Sequence, residues 1–193
     1  MSLVTADDAD LHHDVQKQWG EWRIDDLAHL PEDGNRYELL NGHLIVSPAP
    51  IPLHQRAVRM ILGLLDRACP PDLEVFDAPI DYQIGSDTSL QPDLVVMRRA
   101  DVNLLKPLCK PALLIVEVIS KGSRKDDLKD KPPAYARSGA EHYWTFDPLK
   151  LHFVARRRNG DGYVEVAEAS GEQRIRLDQP YPVELCPAEI TNG

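Results

Sequence analysis

The chain has 193 residues, 42% hydrophobic and 27% charged, and a formal net charge of −9 at pH 7. That fits one globular domain with a real core and room for an appendage. No apolar stretch approaches the ~20 residues of a membrane span, the first residues lack the pattern of a secretory signal, and Cys69, Cys109 and Cys186 form neither a zinc pattern nor a disulfide framework; a cytoplasmic location is the expectation.

In chain order, residues 1–22 read as a polar, acidic arm, helical over 9–19, ahead of a single domain over 23–193. A short helix over 24–30 is stopped by Pro31 and the turn at 32–34. Residues 37–40 and 43–46 flank Asn41-Gly42, the signal of a hairpin with a type I′ turn. Pro48, Pro50 and Pro52 interrupt the chain. From His54 to Ala68, Ala57, Val58, Ile61, Leu62, Leu64 and Leu65 recur at helical spacing. Strands are expected at about 73–76, 79–84, 91–97 and 112–119. The segment 123–138 reads as a helix that Pro132-Pro133 should kink or shorten. A strand over 141–146 and a hairpin of 151–157 with 163–166 follow, and the remainder reads as irregular. This order indicates an α/β domain with a mixed sheet.

The charge is uneven. Residues 1–35 hold nine acids and two bases, a balance of −7; the other 158 residues carry 22 acids and 20 bases, or −2. The nearly neutral body gathers its bases at Arg98-Arg99, at Lys121, Arg124, Lys125, Lys129 and Lys131, and at Arg156-Arg157-Arg158. Such clusters suit phosphate contacts, or a solvated surface.

Two acids stand out. Asp93 opens the run Leu94-Val95-Val96-Met97, and Glu117 interrupts Leu113–Ile119. A carboxylate inside a β-branched strand is costly to bury unless something positive meets it. Two on neighbouring strands would repel, and a divalent cation is the usual remedy. Metal-assisted hydrolysis is therefore the first functional hypothesis. The alternatives are a turn-capping role for Asp93 and an ordinary ion pair for Glu117.

Taken together, the motifs resemble a known family. Arg36-Tyr37-Glu38-Leu39 with Asn41-Gly42, then Pro52-x-His54-Gln55, Gln91-Pro92-Asp93, Val116-Glu117-Val118-Ile119-Ser120, Arg124, Asp127, Lys131, Tyr135 and Glu141–Pro148 resemble, in order and spacing over residues 22–166, the restriction endonucleases of the Uma two type. These are members of the PD-(D/E)xK nuclease superfamily. The resemblance implies a restriction-endonuclease-like core, a mixed β-sheet flanked by helices. It implies Asp93 and Glu117 as ligands of Mg²⁺ (or Mn²⁺) and Glu38 as a further acid of the site. The pattern's lysine would stand at 119, where this chain has Ile119. In the family it appears on the next helix, where Asp127, Lys131 and Tyr135 share one face. Lys131 is then the catalytic lysine, with an i, i+4 pair to Asp127 as its plainer role.

The reading is a metal-dependent endonuclease acting on nucleic acid, DNA first, as a homodimer. Asp93, Glu117, Lys131 and Glu38 are the catalytic set, and His54, Arg124 and Lys121 are substrate contacts. The alternatives are a nuclease-fold binding or assembly module with weak or no cleavage, and a phosphodiesterase acting on RNA or nucleotides. Tyr135 and Trp144 are assigned to the core.

Overall fold

The computed structural model describes residues 20–192. The helix expected over 9–19 lies outside the described residues.

The hairpin signal produces strands β1 (Arg36–Leu40) and β2 (His43–Ser47), paired antiparallel from Arg36↔Ser47 to Leu40↔His43. Asn41 and Gly42 take φ of 51° and 76°, the left-handed pair a type I′ turn requires. Ahead of them, helix α1 (Ile24–Leu27) is a single turn, shorter than expected. Trp22 is buried, and its N–H donates to the Gly42 carbonyl.

Helix α2 (Pro52–Ala68) begins with Pro52 in its first turn, where a missing N–H costs nothing. It buries one stripe, His54, Ala57, Val58, Ile61 and Leu65. Strands β3 (Leu73–Asp77), β4 (Tyr82–Ile84), β5 (Thr88–Leu90) and β6 (Leu94–Arg98) follow. The sequence suggested one strand over 91–97. Instead the chain leaves β5, passes Gln91-Pro92-Asp93, and enters β6 in a different sheet. Pro92 has no N–H for a ladder, which favours the break.

Strand β7 (Leu114–Val118) leads to a π-helical turn over Asp126–Asp130 and helix α3 (Lys131–Arg137). The proline pair explains this shape. Pro132 and Pro133 cannot donate to residues four back, and their rings crowd those carbonyls. The widened turn relieves this, and the Lys131 N–H bonds the Asp126 carbonyl, five back. Strand β8 (His142–Asp147) and the long hairpin β9 (His152–Asn159) and β10 (Gly162–Ser170) complete the expected elements. The C-terminal part is more regular than the sequence suggested. Strands β11 (Ile175–Leu177) and β12 (Val183–Leu185) pair, and helix α4 (Pro187–Asn192) follows.

The main sheet has six strands in the order β10-β9-β8-β7-β6-β3. Only β7 and β8 are parallel within it, joined by the π-turn and α3. Strands β2-β1-β5-β4 form a second, antiparallel sheet. The central strands β6 and β7 are covered on both faces, so they read as continuous apolar runs. Leu94, Val96, Leu114, Val116 and Val118 join α2, α4 and the β11–β12 segment in one core. Val95, Met97 and Ile115 join Tyr82, Ala134, Tyr135 and Tyr143 in the other. Glu117 has the parity of this second face and therefore points toward α3.

Candidate active site

The two sheets meet at the break between β5 and β6, and the acids gather there. Glu38 comes from the middle of β1, Asp93 from the junction, Glu117 from β7, and Asp127 and Lys131 from the π-turn and α3. All five side chains are nearly sealed: 1% exposed for Glu38, Glu117 and Lys131, 2% for Asp127 and 4% for Asp93.

The Lys131 ammonium is the hub. Its Nζ lies 3.1 Å from Glu38 Oε1, 3.3 Å from Glu117 Oε1 and 3.3 Å from Asp127 Oδ1. Despite the prolines that follow it, this lysine thus points at the acids. Each carboxylate is also held by its own donors. Glu117 Oε1 accepts the Tyr135 hydroxyl at 2.9 Å, and Oε2 accepts the Asp93 N–H at 3.4 Å. Asp93 Oδ2 accepts the Val118 N–H at 2.8 Å and lies 3.3 Å from His54 Nε2; its Oδ1 lies 3.5 Å from Arg36 Nη1. Glu38 Oε1 accepts the Gln91 N–H at 2.8 Å, and Oε2 lies 3.7 Å from Arg36 Nε.

Four buried carboxylates face two fixed cations, Lys131 and Arg36, with His54 beside Asp93. The protonation behaviour follows from this excess of negative charge. Burial pushes Glu117 well above the ordinary carboxylate range; Lys131 opposes this, while Asp127, Asp93 and Glu38 add to it. Asp127 is raised, mainly by burial and against the pull of Lys131. Burial acts the same way on Asp93, but there the hydrogen bond and charge of His54, with Arg36 and the Val118 N–H, win and hold it low. Burial works against the Lys131 charge, but Glu117, Glu38 and Asp127 overcome it and keep the ammonium protonated.

Among the described residues, no three His, Cys, Asp or Glu side chains form a ready-made cation cage; three carboxylates close on Lys131 instead. The donor chemistry nonetheless fits a hard divalent ion. Every acid offers oxygen, the ligand that Mg²⁺ and Mn²⁺ take. Four carboxylates exceed the two fixed cations among them, an excess of negative charge that a divalent ion would offset.

Of the residues singled out from sequence, Asp93, Glu117, Glu38, Lys131 and His54 come together. Arg124 does not: its Nη1 pairs with Asp147 Oδ2 at 2.6 Å. Lys121 is exposed on the loop after β7 and lines a cleft that Arg36 and His54 also line. Three participants lie outside the site set expected from sequence: Asp127, expected at most as the i, i+4 partner of Lys131 and found 3.3 Å from its ammonium, Arg36 and Tyr135. Arg36 bridges Asp93 and Glu38; its signal was the i, i+2 spacing to Glu38 on a strand, which puts both on one face. Tyr135 reads from sequence as a core residue. It is buried, but its hydroxyl serves Glu117, as its place on the Lys131 face allowed.

Comparison with known proteins adds the following. The family model Uma2, described as "Putative restriction endonuclease", matches residues 24–189, reaching past the stretch over which the sequence motifs were traced. No curated protein matches the chain. A crystal structure described as "a putative nuclease belonging to DUF820" from Anabaena variabilis ATCC 29413 superposes with a TM-score of 0.68 at 15% identity, covering 88% of this chain and 97% of that one. At that identity the likeness is one of fold: a large mixed sheet flanked by helices, as in restriction-endonuclease-like nucleases.

Proposed function

The chain belongs to the Uma2 restriction-endonuclease family, and from that premise we propose that it is a divalent-metal-dependent phosphodiesterase that cuts DNA. The observation that carries this reading is the meeting of Glu38, Asp93 and Glu117 from two sheets at one seam, with the Lys131 ammonium 3.1 and 3.3 Å from the two glutamates and the Asp93 N–H donating to Glu117. A purely structural core would not gather four carboxylates around so few cations, because burying each charge costs several kcal/mol.

Asp93 and Glu117 would hold Mg²⁺ or Mn²⁺, with Glu38 beside them. Such an ion polarises a phosphoryl oxygen and makes a nearby water more acidic. The chain's own groups set the geometry. Tyr135 and the Asp93 N–H fix the two oxygens of Glu117. The Val118 N–H and His54 fix Asp93, and the Gln91 N–H fixes Glu38. Lys131 neutralises charge among the acids and stands ready to stabilise charge that develops on the phosphate. Arg36, 26% exposed, lines the cleft together with Lys121 and reaches Asp93, so an entering phosphate would meet it beside the acids. A pair of strand cuts needs two such sites, which a two-fold dimer would supply.

The test is a nicking assay on plasmid DNA with Mg²⁺ or Mn²⁺, beside single-stranded DNA and RNA, for the wild type and Asp93→Asn. Metal-dependent nicking that the substitution abolishes supports the proposal. Absence of cleavage on every substrate, or cleavage indifferent to Asp93, would defeat it in favour of a nuclease-fold binding module.

A further inference from the structure

A cleft of about 320 Å³ adjoins the buried acids. Its inner wall includes Arg36 and His54, which reach Asp93 at 3.5 and 3.3 Å. Strand β2, the link into α2, the loop after β7 and the turn after β8 enclose it. Its rim is apolar and open to water: Val46 is 50% exposed, Ile51 60% and Leu149 75%. Ile119 and Pro148 line it as well, and Lys121 adds a basic side chain. A lone exposed apolar side chain needs no explanation. Three around one cleft, beside a set of acids, mark a binding surface.

The chemistry of this surface selects its occupant. A paired duplex turns its phosphates and sugars outward and hides its base faces in the stack. It is gripped by rows of cations, and this rim has few. An unpaired base offers two apolar faces and is read by stacking and apolar contact. The volume lies at the small end of the ~300–1,000 Å³ of ligand clefts, in keeping with one small occupant. We infer that this cleft takes an unpaired nucleobase beside the phosphate to be cut, so that the site acts on single-stranded or locally opened nucleic acid. The inference rests on the nuclease reading above.

The experiment measures fluorescence anisotropy of the full chain, without metal, on labelled single-stranded DNA, single-stranded RNA of the same sequence, and the DNA duplex. The double variant Val46→Thr with Leu149→Ser is measured in parallel. Both positions are exposed, and a melt confirms that the variant folds. The expected result is single-strand binding at least about fivefold tighter than duplex binding, the factor that roughly 40 Å² of base face buried against apolar side chains gives at ~25 cal/mol per Å². The double variant should lose that preference, and the tighter of the two single strands identifies the sugar. Equal or tighter duplex binding, or a variant that keeps the preference, overturns the inference. The two readings fail separately. Metal-dependent cleavage equal on single strand and duplex leaves the nuclease and removes this cleft role. No cleavage, with a single-strand preference that follows the cleft variant, leaves a base-binding cleft and removes the nuclease.

Discussion

Replacing Glu117 by Gln separates a metal site from a structural ion pair. The substitution keeps the shape of a side chain that is 1% exposed and removes its charge. In the wild type one oxygen faces Lys131 and the Tyr135 hydroxyl, and the other faces the Asp93 N–H. The amide can satisfy only one of these sides with its oxygen, so about one hydrogen bond is lost, worth ~0.5–1.5 kcal/mol. Against that, the charge removed is one its surroundings oppose, since burial and three neighbouring carboxylates disfavour it. The metal-free variant should therefore melt within about 3–6 °C of the wild type, at the ~2–4 °C per kcal/mol usual for a chain of this size. Metal should tell the proteins apart. A cation at 100 times its dissociation constant stabilises the wild type by about 2.7 kcal/mol, or about 5–11 °C, and the variant by much less. The assay is a thermal melt of both proteins in EDTA and in Mg²⁺, beside plasmid nicking, which the variant should lose. If Glu117 serves mainly as the partner of Lys131, the metal-free variant instead loses ~3–5 kcal/mol, and the reasoning fails. Undiminished nicking would refute it as well.

Three further outcomes are expected. An acid whose folded-state pKa is raised binds more protons folded than unfolded, so its contribution falls as pH rises. The metal-free wild type should lose stability from about pH 4.5 upward through the raised pKa of Glu117, and Glu117→Gln should flatten that slope; denaturant melts across pH check it, and identical slopes count against it. Tyr135→Phe removes the 2.9 Å hydrogen bond to Glu117 and should cost ~0.5–1.5 kcal/mol, the net worth of one hydrogen bond; a neutral effect in urea unfolding would show that Glu117 does not depend on it. A chain beginning at Gly20 should melt like the full chain, whereas one that also lacks Trp22, 8% exposed in the core, should lose ~3–5 kcal/mol, as large aromatic truncations do; equal melts for the two truncations would show that Trp22 is not an anchor.

Local chemistry was enough to expose a good part of this protein. Asn41-Gly42 specifies its turn because few other pairs adopt two positive φ values in succession. The β6 and β7 runs announce strands covered on both faces, and within them a carboxylate such as Glu117 is conspicuous because its burial demands a partner. The spacing of Asp127, Lys131 and Tyr135 already put them on one helical face, and the π-turn that absorbs Pro132-Pro133 preserves their meeting. The partners themselves were decided by the tertiary structure. Glu38 and Lys131 are 93 residues apart, and nothing local to either says that they touch. Arg36 has no local reason to reach Asp93 until β5 and β6 part at Pro92 and carry the acid to the seam between two sheets. The three-residue strands β11 and β12 are too short to show a period and exist through what they cover. Propensity and periodicity act over a few residues along the chain, whereas the energy of a buried charge depends on every group within a few ångströms in space, and those groups are assembled only when the sheets close.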